Sequence, residues 1–112
     1  MTKKCLAWLE QNAKNSPNLV IDLEEIKSNY KKFIRFFKGT KAFYAVKANP
    51  NKNIIIILNE LGFSFDCASI KEIKDCIKLG VDPKKISYGN TIKKAADIKK
   101  AFLLGINLFA FD

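Results

Sequence analysis

The sequence contains no histidine. That removes imidazole from any acid–base relay or triad built within these residues, and with it most zinc-ligand sets. Cysteine is scarce: Cys5, Cys67 and Cys76 make an odd count, and no C-x-x-C occurs. Neither a disulfide framework nor a metal site is indicated, and a reducing, cytoplasmic setting is expected. The isoleucine run from Ile54 to Leu58 falls far short of a membrane span, so no membrane partner is expected. The apolar patch Cys5 to Leu9 is too short for a secretory signal core, and Glu10 interrupts it. No G-x-G-x-x-G or P-loop follows any apolar run, which argues against a nucleotide-phosphate loop. Acidic residues are few, 11 against 20 Lys+Arg, for a net charge of +9. Such an excess suits an anionic partner, but the lysines are scattered along the chain without aromatic interleaving. A solvated surface is the simpler reading, and no nucleic-acid partner is expected.

What is present is a core. Hydrophobic residues make up 48% of 112 positions, enough for one packed domain. Residues 1–17 read as an N-terminal helical segment and 18–112 as the principal domain. Within the latter, apolar strand-like runs alternate with helical periodicity. "NLVIDL" (18–23) reads as a short strand. Asp22 then caps a helix carried by Leu23, Ile26, Tyr30, Phe33, Ile34 and Phe37, with Glu24 and Glu25 in its first turn and Gly39 as its stop. "KAFYAVK" is a strand, and "NKNIIIILNELG" a helix despite its β-branched isoleucines, since the alternation requires a crossover there. "FSFDCA" is a strand. "SIKEIKDCIKLG" is a helix capped by Ser69, with Glu72 as the capping-box partner. "KISYGN" is a strand, "TIKKAADIKKAFLLG" a helix and "INLFAFD" a last strand.

Strands spaced about 20 residues apart with a helix in each gap imply parallel pairing with right-handed crossovers. An open doubly wound sheet and part of a (β/α) barrel both satisfy the pattern. A full barrel needs roughly 250 residues, so a fragment of a longer protein is expected. In either architecture chemistry collects at the C-terminal strand ends. Those ends carry Lys47, Asp66 with Ser69, Asn90 and Asp112. Alternation puts Ala45 and Lys47 on one face, and Ser64, Asp66 and Ala68 on one face opposite Phe63, Phe65 and Cys67. The small, polar face would point into a barrel and the bulky face toward helices. Lys47 and Asp66 are then expected side by side, a buried cation beside a carboxylate. A solvated lysine at a strand terminus is the plain alternative.

The blocks "FYAVKANPN", "GFSFDCASIKEI", "ISYGNTIKKAADIKKA" and "GINLFAFD" resemble the N-terminal half of the barrel domain of fold-type III pyridoxal-phosphate (PLP) decarboxylases of basic amino acids. These share their fold with alanine racemase. The resemblance covers residues from about 19 to the end, with "YAVKAN" its most specific block. It implies an α/β fold, a partial (β/α)8 TIM barrel with about half the strands, and PLP as cofactor. It makes Lys47 the lysine that forms the Schiff base with the cofactor and Asp66 an acid beside it; both are the expected catalytic residues. Glu72 and Asn90 join them as cofactor-binding positions, although capping alone would explain Glu72. Asp112 matches a strand-end aspartate without a firm role. "VIDL" would lie outside the barrel proper. "FDCAS" and "YGNTIKK" look more like the ornithine/lysine type than the diaminopimelate type. The resemblance therefore implies an ornithine (or lysine) decarboxylase of polyamine biosynthesis, homodimeric at full length. A sister specificity or a non-catalytic fold relative are the alternatives. The family's ring-stacking histidine and phosphate-binding glycine loop are missing here, so these residues alone are expected to be inactive.

Overall fold

The computed structural model describes residues 1–14 and 17–112; Asn15 and Ser16 of the N-terminal segment lie outside the described residues. The chain resolves into two compact units, Met1–Lys38 and Gly39–Asp112.

The first unit holds two helices, α1 (Lys3–Asn12) and α2 (Leu23–Phe36). Thr2 caps α1 by accepting from the Cys5 amide, and Asp22 caps α2 by accepting from the Glu24 amide. The two caps are joined, because the Thr2 hydroxyl donates to the Asp22 carboxylate at 2.6 Å. Residues 18–22, expected as a strand, form none. A strand exists only where its amides find a ladder partner, and among the described residues no segment pairs with this one.

The second unit is a run of β/α repeats: β1 (Phe43–Ala45), α3 (Lys52–Glu60), β2 (Ser64–Cys67), α4 (Ile70–Lys78), β3 (Ile86–Tyr88), α5 (Ala95–Leu103) and β4 (Leu108–Phe109). All pairings are parallel and the strand order is β1-β2-β3-β4. A doubly wound sheet reverses its winding at a switch point. These strands follow one another without reversal, which is barrel winding. The isoleucine run is helical, with Ile54, Ile55 and Leu58 buried at a spacing that one helix face supplies.

Each of α3, α4 and α5 ends in Leu-Gly followed by an apolar residue, and the repeat has a physical basis. The amides of Phe63, Val81 and Ile106 bond back to the carbonyls of Leu58, Cys76 and Ala101 at 3.0–3.1 Å. The preceding glycine amides bond to Asn59, Ile77 and Phe102. This is the Schellman arrangement, which needs a left-handed residue at the glycine; Gly80 and Gly105 have φ of +87° and +89°. The motif satisfies the helix's last carbonyls and drives Val81 and Ile106 into the core, at 2% and 1% exposure.

Of the boundaries that differ from the sequence reading, two have a clear local cause. Helix α5 begins at Ala95 rather than Thr91, because residues 91–94 are taken up by a turn that the Asn90 side chain closes onto the Ile92 carbonyl. Strand β4 spans two residues rather than seven, since β3 alone pairs with it.

Two expectations follow. A methyl group at Gly80 would meet nothing within 4 Å, whereas at Gly105 it would lie 3.2 Å from Pro83 Cβ. Gly80→Ala should therefore destabilise by about 1–2 kcal/mol, the left-handed backbone term alone, and Gly105→Ala by more. Denaturant midpoints of the two variants check the order. The Thr2 hydroxyl, followed by the Glu24 and Glu25 amides, holds the Asp22 carboxyl below the usual carboxylate range. A group depressed in the folded state stabilises above its unfolded pKa and loses that contribution as pH falls through the folded value. Helix content should fall on acidification below the ordinary carboxylate range, and Asp22→Asn should flatten that acid limb in a circular dichroism titration.

Candidate cofactor-binding site

The site is set by the pleat of the sheet. Side chains alternate between faces along each strand, and parallel register puts Ala45 opposite Asp66 and Asp66 opposite Ser87. On the other face Phe65 pairs with Ile86 and Cys67 with Tyr88. That second face is the helix-packed one. Phe65 and Cys67 are fully buried, and Cys67 Sγ lies 3.9 Å from Cys76 Sγ on α4. Contact with Cys76 together with burial pushes the Cys67 thiol up, so it stays protonated and packs as an apolar group. The expected split into a bulky helix-facing side and a small, polar side is what the structure has.

On the polar side Asp66 is half-buried and accepts a hydrogen bond of 2.5 Å from the Ser87 hydroxyl. Ser87 is itself buried, at 8% exposure. Two residues on, Gly89 leaves the space that the carboxylate fills: a Cβ at that position would lie 2.0 Å from Asp66 Oδ1. The carboxylate is thus oriented by a hydroxyl and by the lack of a side chain, both supplied by β3 and the residue after it.

Lys47 stands elsewhere than expected. Strand β1 stops at Ala45, and Val46–Ala48 form one turn of 3-10 helix. Val46 is buried at 1% exposure and anchors the turn, while Lys47 is exposed. The anticipated buried pair of Lys47 and Asp66 is not formed: the ion pairs among the described residues are Lys27–Glu24, Lys71–Asp75 and Lys100–Asp97. The strand ladder stops at Ala45 and a 3-10 turn follows, so strand alternation does not extend to Lys47. Desolvating an ammonium is expensive, and Lys47 is left exposed.

The turn is fixed from both sides. The Tyr44 hydroxyl donates to the Asn49 carbonyl at 3.1 Å. Asn49 Oδ1 accepts from the Asn51 amide, and Asn51 Oδ1 accepts from the Asn53 amide as the cap of α3. Glu72 does not close the expected capping box. Ser69 Oγ accepts from the Glu72 amide as foreseen, but Glu72 Oε2 accepts from Ala68 rather than Ser69, at 2.7 Å. Ala68 is the residue just past β2, so this carboxylate braces the strand-to-helix turn beside Asp66. Asn90 is exposed just past β3, with its amide turned back onto the Ile92 carbonyl. Asp112 is exposed.

Sequence reasoning missed Ser87, Gly89 and Tyr44. For the first two a signal existed, since the alternation applied to "FSFDCA" puts Ser87 and Gly89 of "ISYGN" on the face of Asp66. It also missed Lys93, whose ammonium lies 5.2 Å above the Tyr88 ring and donates to the Ala110 carbonyl, tying the loop after β3 to the end of β4. Nothing in the spacing announces that contact.

Comparison with known proteins places the chain in a family. Residues 23–112 match the pyridoxal-dependent decarboxylase, pyridoxal binding domain. The chain belongs to that family of PLP-dependent decarboxylases and carries part of its cofactor-binding domain. Antizyme inhibitor 2 of Xenopus laevis is 40% identical over 93 residues, which is 83% of this chain and 20% of that protein. The lysine/ornithine decarboxylase of Selenomonas ruminantium is 37% identical over 97 residues, 87% of this chain and 25% of the relative. The crystal structure of lysine/ornithine decarboxylase complexed with putrescine from Vibrio vulnificus superposes with a TM-score of 0.90 at 25% identity, covering 100% of this chain and 31% of that one. The chain therefore spans about a fifth to a quarter of the length of these curated relatives. No helix among the described residues is long and apolar enough to cross a membrane.

Ser87 and Asp66 should be energetically coupled. A double-mutant cycle of Ser87→Ala and Asp66→Asn should return a coupling energy of about 1 kcal/mol or more. A value near zero would mean that the hydroxyl does not hold the carboxylate.

Proposed function

We propose that this chain supplies the cofactor-anchoring part of a PLP-dependent decarboxylase acting on ornithine or lysine, with Lys47 as the residue that carries the cofactor. One observation carries the reading. An exposed primary amine is held on a rigid turn at the C-terminal end of β1, one strand from an oriented carboxylate, within residues that match a pyridoxal-binding domain.

The residues fit the group. An aldehyde cofactor needs an amine that is accessible and not already committed to a carboxylate, and Lys47 is exposed and in none of the ion pairs above. When bound, PLP supplies an electron sink for the pair released as CO2 departs. Lys47 would hold the cofactor through its side-chain amine, the group that would also hold a proton when released. Asp66, paired in register with Ala45 of β1 and held by Ser87, supplies an oriented carboxylate on the neighbouring strand. Ser87 keeps that carboxylate in one orientation through the cycle. Glu72 holds the turn after β2, and Asn90 offers an amide at the end of β3 that can turn from Ile92 to a ligand. A rigid support matters because small displacements of a reacting group lower rates steeply.

The relatives' names do not single out one substrate, since one of them is named for both lysine and ornithine. We favour ornithine, giving putrescine for polyamine synthesis, in a homodimeric cytoplasmic enzyme. A non-catalytic role is the second reading, favoured by the relative named as an antizyme inhibitor rather than a decarboxylase.

In the full-length protein, PLP should produce a visible absorption band together with CO2 release from ornithine exceeding that from lysine or arginine. Lys47→Ala should abolish both. A band with no CO2 release from any basic amino acid would select the non-catalytic reading, and no band at all would overturn both.

A further inference from the structure

The geometry points to Tyr44 as a positioning residue for the Lys47 amine, acting through one hydrogen bond from its hydroxyl to the backbone of the turn that carries the lysine. The inference rests on the proposed role of Lys47.

Lys47 lies three residues after Tyr44 and two before Asn49, so the bond from the Tyr44 hydroxyl to the Asn49 carbonyl closes a loop around it. Tyr44 is well placed to hold that loop. Its backbone is fixed in the ladder opposite Phe65, and its ring meets the fully buried Phe65 ring edge-on, with centroids 6.4 Å apart. The ring therefore has a paired strand beneath it and an aromatic neighbour beside it. Burial pushes the phenol above its ordinary value, so the group stays a donor throughout the neutral and mildly alkaline range.

The turn needs such a clamp. A single turn of 3-10 helix has poorer hydrogen-bond geometry than an α-helix and does not persist alone. Its N-terminal cap, Ala45, offers no side-chain bond. Val46 fixes the turn's start by burial. Its exit is held by the Tyr44 hydroxyl on one side and by the Asn49–Asn51 side-chain-to-amide bond on the other. Removing the hydroxyl leaves the entry fixed and the exit held on one side, with the lysine between them. A residue on the helix-packed face thus sets the placement of the turn that carries the amine.

The test is Tyr44→Phe in the full-length, PLP-loaded protein, since phenylalanine keeps the ring against Phe65 and deletes only the donor. Three readouts are taken: the melting temperature, the induced circular dichroism of the cofactor band, and the rate of cofactor loss on dialysis. The melting temperature should stay within a few degrees of the parent. The induced dichroism should weaken, and cofactor loss should accelerate roughly three- to tenfold, the yield of one net hydrogen bond. Amide exchange over residues 46–51 should rise in the same variant. Unchanged dichroism and unchanged loss rate would overturn the inference, as would a Tyr44→Phe protein that fails to fold, which would assign the hydroxyl to the fold at large. A Lys47→Ala control separates the two claims: if it keeps the parental cofactor band, the assignment of Lys47 fails, whatever Tyr44 does.

Discussion

The two-residue period of parallel strands held in register is the constraint on which the rest of this structure depends. Because Ala45, Asp66 and Ser87 stand in one row across three strands, whatever chemistry those positions carry is confined to one side of the sheet. The opposite side is closed by Phe65, Cys67, Ile86 and Tyr88. A slip of one residue would exchange the two sets and bury the carboxylate among helices. The helices before β2, β3 and β4 each close with Leu-Gly and an apolar residue whose amide bonds back to the helix, and Val81 and Ile106 of these returns are buried in the core. The polar row is therefore a consequence of packing on the far face as much as of its own hydrogen bonds.

Much of the fold was legible because its signals are local. Asp22 and Ser69 are caps whose side chains reach their own helix starts, Gly62, Gly80 and Gly105 are left-handed stops, and strand alternation sorts small from bulky residues. The misreadings share a different cause. Residues 18–22 have strand composition, but pairing is decided by what lies alongside, which composition does not carry. Thr91 to Lys94 have helical composition, yet the Asn90 side chain claims a carbonyl of that stretch and delays the helix to Ala95.

The geometry around the candidate site residues differs from the one that strand alternation suggests. Alternation extended past Ala45 pressed Lys47 against Asp66, and the 3-10 turn breaks the alternation at that point. The difference matters chemically. On the proposed reading an amine locked in a buried ion pair would be a poor partner for an aldehyde, and Lys47 is exposed and in none of the ion pairs among the described residues. Glu72 shows the same lesson on a smaller scale. Its capping-box spacing is real, but the carboxylate reaches one residue further and braces the end of β2 instead. Ser87 and Gly89 were within reach of the argument already applied to Asp66, and Tyr44 was not, because its role depends on a backbone carbonyl five residues away.

Borohydride reduction of the PLP-loaded full-length protein, followed by peptide mass mapping, tests the central claim most directly. The account predicts a single pyridoxyl adduct, on the peptide containing Lys47. An adduct on any other lysine, with the Lys47 peptide unmodified, would contradict it.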